Sequence, residues 1–119
     1  MNVTFQSKTL LVDGQAMQMP WPVLDAIEHG DRVFVLLDPD FYLMDSGYKK
    51  MRRQGAPAFK NLFAVDKAGT KLWEADLPES SDYYYKIGSA SPLIANSFSS
   101  YRCEIDPNNG TIKRKEFLK

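Results

Sequence analysis

The stretch that decides the fold runs from residue 61 to residue 73 and reads NLFAVDKAGTKLW. Apolar runs at residues 61–65 and 70–74 flank the turn sequence that begins at Asp66 and ends at Gly69. Short apolar runs separated by a glycine-containing turn are typical of a β-hairpin. In such a turn the aspartate carboxylate accepts from nearby backbone amides, and glycine adopts the left-handed conformation that the corner needs. We therefore predict an antiparallel hairpin over this stretch.

The same turn returns later in the chain. Residues 65–72 read VDKAGTKL and residues 105–112 read IDPNNGTI, so that Asp66 and Asp106 hold equivalent places. A second repeated motif is PVL at 22–24 and PLI at 92–94. Each copy is followed by an arginine, an apolar run and Asp-Pro. We interpret the chain as a single β domain, residues 1–119, with two copies of one unit at residues 22–76 and 83–118.

Hairpin signals fill the rest of the chain. Residues 9–12 and 16–19 lie on either side of an Asp-Gly pair, which supplies the positive φ of a tight turn. The unbroken apolar run Val33 to Leu37 is typical of a central strand that is covered on both faces. Helical periodicity is almost absent, and these patterns predict an all-β chain of antiparallel hairpins. Further strands are expected at 83–87, 92–95, 101–105 and 111–117.

One long connection interrupts the strands. Residues 39–58 form a link of a length that is uncommon in compact domains and is often functional. We expect a loop with room for one short helical turn near residues 45–51, because Gly47 and Gly55 disfavour a longer helix.

The hairpin at 61–73 resembles the closing hairpin of a β-propeller blade of the pyrroloquinoline-quinone (PQQ-like) repeat type. That motif has a strand ending in alanine-leucine-aspartate, a turn ending in glycine, and a strand ending in leucine-tryptophan. Residues 91–114 are similar to a blade core without the final tryptophan. The resemblance covers about two blades, whereas a closed propeller needs roughly four to eight. It implies two blade-like sheets, as a small sandwich or one strongly curved sheet, and no quinone or other cofactor.

Composition limits the partners, metal sites and cellular location that we expect for this chain. Fifteen basic and fifteen acidic residues cancel in this 119-residue chain, so no global field favours nucleic acid or anionic lipid. The single cysteine, Cys103, excludes an internal disulfide and a thiolate zinc cluster, and its place in an alternating strand predicts a buried side chain. Without a signal peptide or a long apolar run, we expect a cytoplasmic protein with no metal site and no membrane contact.

Catalytic motifs are absent from the sequence. The one histidine, His29, lies at a hairpin tip between Glu28 and Gly30, close to Arg32. This group suggests either a general acid–base site of a hydrolase or nuclease, or simply an exposed turn. No phosphate loop, nucleophile elbow or paired-cysteine motif is present, and we predict that the chain is not an enzyme.

Charged and aromatic residues concentrate in two segments. Within the long connection, four cations fall within five positions beside tyrosines, and a cluster of acidic residues at 74–82 precedes three consecutive tyrosines. A local charge patch steers partners of the opposite sign, and tyrosine is favoured at protein interfaces. The expected partner-binding residues are Tyr42, Tyr48, Lys49, Lys50, Arg52, Arg53, Asp82, Tyr83 and Tyr84.

These observations favour a non-catalytic protein-binding module. The specific hypothesis is a bacterial immunity protein that neutralises a cognate toxin by covering its active site. The partner's surface would be basic if the acidic segment dominates, and acidic if the basic segment dominates. The alternative is a single-stranded nucleic-acid-binding module that uses the basic and aromatic loop at 41–53. A further hypothesis is self-association that completes a ring.

Overall fold

The computed structural model describes residues 2–118. Within that range the chain folds as eleven β-strands and two short α-helices, and every strand pair is antiparallel. The predicted all-β fold class is confirmed.

The strands form three sheets, in each of which consecutive strands are neighbours. The sequence predicted two sheets, at 22–76 and 83–118, and did not foresee that the hairpin at residues 9–19 belongs to a third. The N-terminal sheet contains β1 (Val3–Gln6), β2 (Thr9–Val12) and β3 (Gln15–Gln18); the middle sheet contains β4 (Val23–His29), β5 (Arg32–Leu37), β6 (Leu62–Asp66) and β7 (Lys71–Glu74); the C-terminal sheet contains β8 (Tyr84–Ala90), β9 (Leu93–Ser97), β10 (Tyr101–Ile105) and β11 (Ile112–Phe117).

The middle sheet lies between the other two, and its inner strands β5 and β6 are buried on both faces. Along β5, Val33, Val35 and Leu37 pack in one apolar cluster with residues of the N-terminal sheet. Phe34 and Leu36, which alternate with them, pack in a second cluster with residues of the C-terminal sheet. Because successive side chains of a strand point to opposite faces, a strand between two layers must be apolar throughout. The predicted central strand at 33–37 is confirmed.

The long connection is more helical than the sequence predicted. It contains α1 (Pro39–Met44) and α2 (Ser46–Arg53) in place of one turn near 45–51. Aspartates cap both helices: Asp38 Oδ1 accepts from the Asp40 amide at 3.0 Å, and Asp45 Oδ2 accepts from the Tyr48 amide at 2.9 Å. Such caps satisfy amides that a helix start leaves unpaired. No helix in residues 2–118 has the length and hydropathy needed to cross a membrane.

The two repeated turns share the predicted chemistry. Asp66 Oδ1 accepts from the amides two and four residues further on, both at 2.9 Å, and Gly69 has a φ of 91°. Asp106 Oδ1 accepts from the amide two residues on at 2.9 Å, and Gly110 has a φ of 81°. Aspartate side chains and left-handed glycines therefore form both corners, as predicted.

Each repeated turn also packs against the last strand of the preceding sheet. Gly110 lies under the indole of Trp73 on β7, and Trp73 Nε1 donates to the carbonyl oxygen of Pro107 at 2.9 Å. Gly69 lies in the same way against Met17 on β3. The three sheets are thus stacked through one recurring contact, between a turn glycine and a large side chain.

The outer face of the C-terminal sheet is polar. A shallow groove there is lined mainly by charged side chains, among them Arg102, Glu104, Arg114 and Glu116. A polar outer face is typical of the terminal unit of a stacked repeat, since it ends the stack in water.

Candidate functional site

A surface pocket of about 380 Å³ lies where α2 meets the segments that flank β8 and β9. We call it the basic pocket. Its volume is within the range of about 300–1,000 Å³ that is usual for ligand pockets. It is lined by Leu43, Tyr48, Lys49, Arg52, Arg53, Ala58, Ser81, Asp82, Tyr83 and Phe98.

Helix α2 supplies the cations of the basic pocket. Residues three and four apart share a helix face, so Lys49, Arg52 and Arg53 line the pocket whereas Lys50 does not. Arg52 is held in place, because its Nη1 donates to the Ala56 carbonyl at 2.6 Å and its Nη2 to Ser81 Oγ at 2.9 Å. Lys49 and Arg53 are exposed and form no ion pair within residues 2–118.

Two tyrosines, Tyr42 and Tyr48, support the wall of the basic pocket that α2 forms. Tyr42 is 1% exposed, so the structure places it in the interior and not on the predicted binding surface. Its ring packs edge-on against Tyr48 at 5.1 Å and Phe59 at 4.9 Å. The Tyr48 hydroxyl accepts from the Phe59 amide at 3.1 Å, which ties α2 to the segment leading into β6. Burial raises the pKa of Tyr42 far above its ordinary value.

The opposite wall contains a buried carboxylate. Asp82 is 3% exposed, and its Oδ1 accepts from the amides of Tyr83 at 2.8 Å and Ser99 at 3.1 Å. Its Oδ2 is also buried and has no hydrogen-bond partner within residues 2–118. Beside it, the rings of Tyr83 and Phe98 stack at 5.0 Å. Burial raises the pKa of Tyr83, and the carboxylates of Asp40 and Asp82 raise it further.

Tyr84 does not belong to the pocket. It is fully buried between the middle and C-terminal sheets, and its hydroxyl donates to the Asp76 carbonyl at 2.5 Å. Burial strongly raises its pKa. Tyr85, the next residue, is 48% exposed. Of the three consecutive tyrosines, Tyr85 thus faces solvent, and Tyr84 is not available to a partner.

Two carboxylates of the acidic segment form ion pairs within the chain. Glu74 pairs with Lys71 at 3.0 Å, and Asp76 pairs with Lys60 at 3.3 Å. Of the acidic residues in this segment, only Asp82 lines the basic pocket, and it is buried. The cations of α2 therefore set the sign of the charge at this site.

The remaining candidates lie elsewhere. His29 stacks on Phe34 at 5.5 Å, and Arg32 binds Asp31 and the Pro107 carbonyl, both at 3.1 Å. Cys103 is buried in the core as predicted, and burial is the main cause of its raised pKa. In residues 2–118, no three histidine, cysteine or acidic side chains are grouped to hold a metal ion.

Sequence reasoning missed the apolar part of the pocket. Leu43, Ala58 and Phe98 line it together with the predicted residues. The sequence carried a signal for Phe98, since it is the only apolar residue between Asn96 and Tyr101. In the structure its side chain is 64% exposed. Leu43 and Ala58 carried none, because only the tertiary fold brings them to the pocket.

Fold and site together define a small protein of three stacked antiparallel sheets with a basic surface pocket at one side of the stack. The chain belongs to the family described as "Domain of unknown function (DUF7957)", whose model matches residues 1–117. No curated protein and no solved structure matches the chain.

Proposed function

We propose that this chain is a non-catalytic protein-binding module whose interface is centred on the basic pocket. One observation carries the proposal. Two cations without ion-pair partners in residues 2–118, Lys49 and Arg53, converge with the aromatic pair Tyr83 and Phe98 around one concave surface. Aromatic residues and arginine are the residue types enriched at interfaces.

The charge of the site specifies the partner's surface. Three cations line the pocket, whereas its single carboxylate, Asp82, is buried. A complementary surface must then be acidic, because like charges across an interface are costly. Of the two partner surfaces that the sequence leaves open, the proposal therefore takes the acidic one.

The role we propose is that of a bacterial immunity protein, which covers the active site of a cognate toxin. A stack of sheets that presents the basic pocket and the helical connection is suited to this role, because pre-organised surfaces lose little entropy on binding. We also propose that the middle and C-terminal sheets are related as PQQ-like blade repeats. The matched turns at Asp66 and Asp106 and the contact of Trp73 with Pro107 support that relationship.

Reversing the free charges should weaken partner binding. In the double variant Lys49→Glu, Arg53→Glu, we expect affinity for the cognate toxin, sought as the product of the neighbouring gene, to fall at least about tenfold. Close charge pairs couple by about 1.5 kcal/mol or more. Titration calorimetry of the purified pair measures it. The matched control, Lys86→Glu with Arg114→Glu, makes the same charge change on grooves across the C-terminal sheet. Equal losses in both variants, or no binding by the unmodified chain, would contradict the proposal.

Single-stranded nucleic acid is the second candidate. The stacked pair of Tyr83 and Phe98 leaves Phe98 64% exposed in a pocket that Lys49 and Arg53 also line. Bases stack on such rings while cations contact phosphates. A labelled oligothymidylate distinguishes the two functions. Tight binding that falls steeply with added salt favours nucleic acid, and negligible binding favours the protein partner.

A further inference from the structure

The basic pocket combines three features that specify one kind of side chain. Its lining includes Asp82, whose Oδ2 is a buried acceptor with no partner in residues 2–118. Its walls include apolar and aromatic groups, among them Leu43, Tyr83 and Phe98, and cations line the same pocket. We propose that the pocket receives a tryptophan side chain from an acidic segment of the partner. This inference rests on the proposed protein-binding function.

The buried carboxylate requires a hydrogen-bond donor. A buried acceptor without a partner is unfavourable, and a donor from a ligand would relieve that cost. Because Asp82 Oδ1 already accepts from two amides, only Oδ2 remains for a ligand. An indole has a single N–H and no acceptor, so one hydrogen bond satisfies it completely. A nucleobase has several polar groups and would leave some of them unpaired here.

The charges around the pocket exclude a cationic anchor. A lysine or arginine of the partner would meet Lys49, Arg52 and Arg53, which line the pocket. A neutral indole avoids that repulsion, and its ring can stack on Tyr83 as Phe98 does. Acidic residues on either side of the tryptophan would meet Lys49 and Arg53, which have no ion pair in the described chain.

Entry of the ring requires a small movement. Asp82 Oδ2 is shielded from solvent, so a side chain of the wall must rotate before a donor reaches it. Phe98, at 64% exposed, has the freedom to do so. The partner's ring would then stack on Tyr83 in place of Phe98. Tryptophan is one of the residue types enriched among such central, fully desolvated anchors.

The test uses a blocked pentapeptide with tryptophan between two pairs of acidic residues. Nuclear magnetic resonance titration of the full chain reports binding through the amides of Tyr83 and Ser99, which donate to Asp82. We expect saturable shifts with this peptide. The same peptide with 1-methyltryptophan keeps the ring but lacks the donor, and should bind at least about tenfold more weakly. Equal binding of both peptides, or no shift at millimolar peptide, overturns the proposal.

The variant Asp82→Asn supplies a second measurement. It keeps the shape and the Oδ1 acceptor but places an N–H₂ donor where Oδ2 was. We expect at least about tenfold weaker binding of the tryptophan peptide, with the thermal melting curve showing that the chain is still folded. If Asp82→Asn does not fold, the 1-methyltryptophan comparison on the unmodified chain decides alone.

The outcomes separate this inference from the proposed function. A complex with the neighbouring gene's product that depends on Lys49 and Arg53, without binding of the tryptophan peptide, leaves the function standing and overturns the anchor. Binding of the peptide that depends on Asp82, without any complex, supports the anchor site and overturns the assigned partner.

Discussion

Substituting Gly110 by alanine should lower the free energy of unfolding by about 2–5 kcal/mol. A Cβ there would lie 2.6 Å from Trp73 Cε3 and 2.7 Å from the Glu74 carbonyl oxygen. The carbonyl is backbone and cannot rotate away. The left-handed φ of 81° adds about 1–2 kcal/mol of strain for a residue with a side chain, and overpacking adds about 1–3 kcal/mol.

Gly14→Ala is the matched control for that variant. Gly14 has nearly the same φ, 83°, but a Cβ would meet nothing within 4 Å. We expect Gly14→Ala to lower the free energy of unfolding only by the cost of backbone strain, about 1–2 kcal/mol. Urea unfolding of both variants separates the two contributions. If Gly110→Ala were no less stable than Gly14→Ala, the contact between the second turn and Trp73 would not hold the sheets together.

Replacing Asn61 by leucine should cost about 3–5 kcal/mol of unfolding free energy, since each buried polar group left unpaired costs about 1–3 kcal/mol. Asn61 is fully buried just before β6. Its Nδ2 donates to the carbonyls of Leu37 at 3.0 Å and Tyr84 at 2.7 Å, and its Oδ1 accepts from the Tyr84 amide at 3.1 Å. The amide thus ties β5 to the start of the C-terminal sheet. Leucine has a similar volume and none of these groups.

Asn96→Leu provides the comparison. Asn96 is half-buried on β9, and none of the side-chain hydrogen bonds within residues 2–118 involves it. Its substitution should change the free energy of unfolding by less than about 0.5 kcal/mol, as is usual for a side chain that takes part in no buried hydrogen-bond network. Thermal unfolding of both variants measures the difference. Equal stabilities would mean that Asn61 is not the link between the sheets.

The sequence predicted features that depend on residues close together in the chain. The turns at Asp66 and Asp106 followed from an aspartate and a glycine within a few positions, whose hydrogen bonds are local. The burial of Val33 to Leu37 on both faces followed from an apolar run longer than one-sided alternation allows.

The basic pocket and the link through Asn61 depend on tertiary contacts, which no local sequence pattern shows. The basic pocket joins a helix at 46–53 to a buried Asp82 and to Phe98, which are distant in the chain. Three of the four predicted cations do meet Asp82 there, but nothing local distinguished Tyr83 from the buried Tyr84. Nor did any pattern show that Asn61 would hold two sheets together, because its three partners lie 23 and 24 residues away.

Hydrogen–deuterium exchange of this chain, alone and mixed with the product of the neighbouring gene, tests the central claim most directly. Binding at the basic pocket predicts slower exchange of amides in α2, at residues 81–83 and at residues 97–99, with β11 unchanged. Protection confined to β11 and the polar outer face of the C-terminal sheet, or no protection anywhere, would contradict it.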